Sequence, residues 1–329
     1  MAISLYSDFK VYDEQFQGAF VETIMQNVDA FNEASQGALV MRTRDLLGHY
    51  EREAFYDEVV AAAISRRDIT ASGAITATKL TQDEFIGVKL NRRNGPFEVS
   101  IDSMRKIGAN ASTQFSRVIG VQTAKAMPRE MLDRALAAIE AKLDSVAALE
   151  YDGTAATVAS VGPIQALAKF GDAAGDVVLW VMHSKVYFDL VKQQVTDAIY
   201  RANGVSIMAG VPATYGRPVL VTDSASLVEA DGVSTGIDTY STLGLVSGAG
   251  VLDISEPPIA ALEGPLTGNE QLFYRWQAEY AYNLKLRGCQ WDTTNGGINP
   301  TNAAVATATN WDTVVADNKL LPGVILKTR

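Results

Sequence analysis

The residues able to do chemistry are few and scattered. The chain holds two histidines, His49 and His183, and a single cysteine, Cys289. A zinc site built from imidazole and thiolate needs at least three such ligands at regular spacing, and these three fall in separate predicted elements. A lone cysteine excludes an intrachain disulfide, so Cys289 reads as a small, half-buried hydrophobe. His183 stands beside Ser184 and near Asp189, the residue types of a hydrolytic relay. Its place at a strand-to-helix turn favours a structural role bonded to backbone. Gly248-Ala249-Gly250 lacks the later glycine and the helix that a phosphate loop requires, so a hairpin turn is expected there. Glu130, Asp133, Glu140 and Asp144 lie among Arg129, Arg134 and Lys142 on one predicted helix, the pattern of a solvated, salt-bridged face. There is no Gly-x-Ser-x-Gly elbow. The reading is therefore no catalytic residue, no cofactor and no metal ligand, which leaves surfaces as the working parts.

The elements that would carry those surfaces can be read from periodicity. A chain of 329 residues, 47% hydrophobic and 20% charged, is globular and long enough for two or more lobes. It has no run of 18 apolar residues and no signal-peptide pattern at its N-terminus. With 38 acidic and 28 basic side chains its formal charge is −10, which argues against a dedicated nucleic-acid-binding module.

Phe16, Phe20, Ile24, Val28 and Phe31 recur on one helical face within residues 14–34, and a second helix is expected from His49 to Arg67. Ile86, Val88 and Leu90, then Phe97, Val99 and Ile101, alternate around Asn91-Arg92-Arg93-Asn94-Gly95, a hairpin signal. Arg92 and Arg93 at its tip would suit carboxylates of a neighbouring subunit. Residues 113–150 form a long helical pattern through Leu132, Leu136, Ile139 and Leu143, in which Pro128 marks either a kink or the start of a second helix. Strands are expected at 240–246, at 250–254 (ended by Pro257-Pro258), at 278–287 and, as a final edge strand, at 320–327.

The densest signal lies in residues 178–223. An apolar strand, Val178-Leu179-Trp180-Val181-Met182, is followed by a helix opened by His183-Ser184-Lys185 with Ser184 as N-cap. The punctuated run Gly210-Val211-Pro212 to Gly216-Arg217-Pro218 then leads to a second strand, Val219 to Asp223. This order resembles the axial domain of tailed-bacteriophage major capsid proteins of the Hong Kong 97 type. The remaining elements follow in that family's order.

The resemblance implies an α+β, Hong Kong 97-like capsid fold. Its parts would be an N-terminal arm with helices at 1–67, an extended loop hairpin at 68–105, and a peripheral domain with a long spine helix at 106–150. An axial domain at 151–271 and return strands with the C-terminal segment at 272–329 would complete it. It implies a shell subunit that assembles with itself, as hexamers and pentamers, into an icosahedral head enclosing double-stranded DNA without sequence-specific binding. The implied partners are a separate scaffolding protein, a portal and a decoration protein, with no membrane. Localisation would be the virion, after assembly in the host cytoplasm. An encapsulin-type nanocompartment shell is the alternative on the same fold. Lys79 and Lys89 are candidates for covalent cross-linking in such a family, but no acceptor is identifiable.

Overall fold

In the computed structural model, the described residues are 29–56, 79–107, 111–201 and 216–329, apart from isolated positions within these ranges, together with scattered positions between 64 and 77. Most of the expected helix at 14–34 and the run 210–215 lie outside them. In chain order the strands and helices are β1 (Leu39–Thr43), β2 (Tyr50–Tyr56), β3 (Gln82–Ser100), α1 (Ile101–Ile107), α2 (Ala111–Asp144), β4 (Glu150–Asp152), α3 (Gly162–Phe170), β5 (Val177–Met182), α4 (Ser184–Arg201), β6 (Val219–Val221), β7 (Val228–Ser234), β8 (Ile237–Val246), β9 (Gly250–Leu266), β10 (Phe273–Leu286), β11 (Cys289–Trp291), α5 (Asn302–Val305), β12 (Trp311–Thr313) and β13 (Gly323–Thr328).

Two sheets carry the fold. One has the order β1-β9-β10-β3-β2; the other has β4-β13-β8-β5-β6, with β7 added to β8. The long helix α2 ties them together and runs unbroken through Pro128. Its middle faces the first sheet, where the Tyr282 hydroxyl donates to Glu130 at 2.8 Å. Its C-terminal half faces the second, where Ser241 donates to Glu140 at 3.0 Å. The expected stripe is the buried one: Ala135, Leu136, Ile139 and Leu143 are all fully buried. Lys142 adds a clamp, donating at 2.6 Å to the Trp311 carbonyl.

The second sheet contains the strand–helix–strand unit as expected. β5 runs parallel to β6 and antiparallel to β8, and Trp180 is fully buried. Gly244 on β8 is needed there, because a Cβ would sit 2.9 Å from both the Trp180 ring and Val324.

Several expectations are corrected. His49 to Arg67 does not start as a helix: Tyr50–Tyr56 is a strand paired with β3. Residues 84–101 are not a hairpin, because β3 is one continuous strand lying antiparallel along β10. The Asn94-Gly95 signal marks a bulge instead, where the register slips between Trp276 and Ala278. β9 does not stop at Pro257-Pro258 but continues to Leu266. It tolerates prolines because its outer side lacks a ladder partner there among the described residues. β13 is a central strand between β4 and β8, not an edge strand. Ser247 to Gly250 is not a hairpin turn either, since β8 and β9 belong to different sheets.

Candidate assembly surface

Among the described residues, His49, His183 and Cys289 do not gather into one group. His183 uses Nδ1 to accept the Lys185 backbone N–H at 3.2 Å, so the cap of α4 is the imidazole rather than Ser184. Asp189 pairs with Lys185 at 3.2 Å, and the carboxylate near His183 is that of Asp223, 3.8 Å from Nε2 and largely exposed. Cys289 is buried, and burial pushes its thiol up to about 12, far from a reactive thiolate. No group of three or more metal-ligating side chains occurs among the described residues.

The surfaces are more informative. Strand alternation gives the first sheet two unlike faces. Trp276, Tyr282, Leu284, Val88 and Leu90 point toward α2 and are buried. Arg92 shares that face: its Nε donates to Glu130 at 2.8 Å and its Nη2 to Asn302 at 3.0 Å. Arg92 is therefore an internal strut, tied within its own chain rather than free for a neighbour's carboxylate. Burial and the nearby Glu130 carboxylate together push the Tyr282 phenol well above its usual range.

The opposite face is a lattice of charge. In register across four strands stand Arg42, Asp253, Asn283 and Lys89. Asp253 is fully buried and paired with Arg42, and Lys89 is paired with Glu256. In the next row Gly87 lies between Lys285 and Glu51; a Cβ on it would fall 2.6 Å from Lys285 Cγ. The missing side chain lets Lys285 cross to β2, where its ammonium lies 2.5 Å from Glu51 and 2.9 Å from Glu53. That hydrogen bond holds the Glu53 carboxyl below its ordinary range. Further along the same face a hollow of about 670 Å³ is lined by Arg93, Glu256, Ile259, Glu263, Arg275 and Glu279.

Large apolar side chains also stand in solvent. Ile64, Ile69 and Ile75, in the long connection between β2 and β3, are 91%, 86% and 90% exposed. At the base of that connection Phe55 and Phe85 stack at 4.1 Å beside an apolar groove that also involves Val314, Val315 and Leu320. Ile64 falls in the segment expected as a helix and Ile69 and Ile75 lie beyond it in a Thr-, Ala-, Ser- and Gly-rich run, so these isoleucines carried no signal as a group. Their meaning appears only when none of them finds the core.

A family model described as Gp13-like, Major capsid protein 13-like, matches residues 8–325. The chain belongs to this family. It is thus a major capsid protein, a structural component of the virion, and its fold is α+β of the Hong Kong 97 type. Among solved structures it is similar to a chain from Microbacterium phage Oxtober96, with a TM-score of 0.56 at 11% identity, covering 90% of this chain and 91% of that one. Chains from Mycobacterium phages Adephagia and Bobi give 0.54 at 11% and 0.53 at 12%, each covering 90% of both chains. At such identities the likeness is one of fold. No curated protein matches the sequence significantly. No described helix is long and apolar enough to cross a membrane.

Proposed function

We propose that this capsid protein acts by self-association alone, without catalysis. It assembles as hexamers and pentamers into an icosahedral head that encloses double-stranded DNA, with scaffolding, portal and decoration proteins as partners. The domain reading we propose puts an arm ahead of β1, a loop reaching a neighbour between β2 and β3, a peripheral unit of α2 with the five-stranded sheet, and an axial unit on the second sheet. Val88 is fully buried and Ile86 nearly so within their own chain, which supports assigning the neighbour contact to the β2–β3 connection rather than to the expected hairpin.

The observation that carries the proposal is the set of exposed isoleucines at 64, 69 and 75. Three branched apolar side chains kept in water would forgo roughly 1.5–3 kcal/mol each that burial provides. A second copy offers the surface they lack. Replacing residues 57–78 by a short Gly-Ser linker keeps β2, β3 and the buried core intact. The expected product is a folded monomer, by circular dichroism and sedimentation, that forms no shells under conditions where the parent does. Normal shells from the shortened chain would refute the assignment.

A further inference from the structure

The first sheet is five strands wide at one end only. β1 pairs with β9 over Gly250–Ile254, and β2 pairs with β3 over Gln82–Val88. Beyond those limits β9, β10 and β3 continue as a three-stranded ribbon. No strand among the described residues pairs with the outer side of β9 from Ser255 to Leu266, or of β3 from Asn91 to Ser100. Long unpaired edges are templates for another chain. Both edges carry prolines, which confine any pairing: Pro257, Pro258 and Pro265 leave Ile259 to Gly264 free on β9, and Pro96 divides β3.

The two edges are complementary once internal pairs are removed. On β3, Arg92 is held by Glu130, and Glu98 is held by Arg275 at 2.5 Å. That leaves Arg93, exposed and without an ion-pair partner among the described residues. On β9, Glu256 is held by Lys89, which leaves Glu263, likewise exposed and unpaired among the described residues. Each edge also has an apolar side chain in solvent, Ile259 at 74% and Phe97 at 43% exposure. Strand direction fits as well. β3 and β9 both run antiparallel to β10, hence parallel to each other, so a copy placed head to tail sets them side by side in parallel.

We propose that the β3 edge of one copy adds to the β9 edge of the next, continuing the sheet between subunits with Arg93 of one facing Glu263 of the other. The contact uses two different patches, so it is heterologous and can close into rings. This proposal rests on the shell reading and adds the contact that joins one ribbon to the next.

The test uses the full-length chain, co-expressed with the proposed scaffolding and portal proteins. Arg93→Glu and Glu263→Arg each change an exposed side chain that forms no ion pair among the described residues; each reversal faces a like charge on β10, Glu279 or Arg275, so the thermal unfolding of each free variant is measured first to show that it folds. Each alone sets like charges against each other and should lower shell yield about tenfold, whereas the double variant, with complementarity restored in reverse, should recover it. In parent shells, backbone amides of residues 97–100 and 259–264 should exchange with deuterium at least about tenfold more slowly than in free subunits. If the parent forms no shells, the shell reading itself fails. If the parent forms shells but the single variants assemble normally, or neither edge gains protection, the edge-to-edge contact is overturned and the shell reading stands.

Discussion

Trp180 decides whether the second sheet closes. Its ring fills the space above Gly244 and beside Val324, at distances that leave no room for another carbon. Trp180→Ala should cost about 3–5 kcal/mol through lost burial and a residual cavity, read as a lowered midpoint of chemical unfolding. An unmoved midpoint would contradict the packing. Glu140 makes a pH-dependent prediction. Burial raises its carboxyl above the ordinary value, and the nearby Asp144 and Glu229 add to this, against the opposing hydrogen bond from Ser241 and the charge of Lys327. A raised folded pKa favours the protonated form, so its contribution to stability is full below the ordinary carboxylate range and is lost as pH rises through the raised value. Glu140→Gln should therefore unfold at a higher temperature than the parent at neutral pH, with the difference vanishing in acid. The same gain at both pH values would contradict that cause.

At the scale of elements, periodic segments were legible and polar ones were not. The stripe through Leu136, Ile139 and Leu143 announced α2, and five apolar residues announced β5, because burial on a regular period leaves a mark in any sequence. The run Asn91 to Gly95 misled for a physical reason. Polar residues are expected outside, yet Arg92 and Asn94 point at α2, where Glu130 and Thr123 receive them. Their partners lie some thirty or forty positions away, so nothing local distinguishes a buried polar rung from a turn. The assembly surface was hidden likewise, since free edges and stranded isoleucines are defined by what fails to pack. The Arg92 rung gives the element-scale prediction. Arg92→Ala removes the guanidinium that links β3 to Glu130 on α2, leaving Glu130 with the Tyr282 hydroxyl and with Arg134 of its own helix at 3.8 Å. It should cost about 1–3 kcal/mol in unfolding free energy. A neutral result would mean that the ribbon does not depend on this strut to hold the helix.

For the whole molecule, charge and shape act in opposite directions. Each subunit carries a net −10, so copies repel until salt screens exposed charges over roughly 8–10 Å. Attraction must come from the local features already described: exposed apolar side chains, an unpaired strand edge at each side of the ribbon, and isolated charges of opposite sign. On the proposed function, the net negative charge also suits a wall along which DNA packs without being gripped. The most direct test is electron cryo-microscopy at physiological salt of particles formed when the chain is expressed with the scaffolding and portal proteins proposed as its partners. The account predicts closed icosahedral shells of hexamers and pentamers, with the connection between β2 and β3 of each subunit lying on a neighbour. Chains that remain monomeric under these conditions, or shells in which that connection touches only its own subunit, would contradict it.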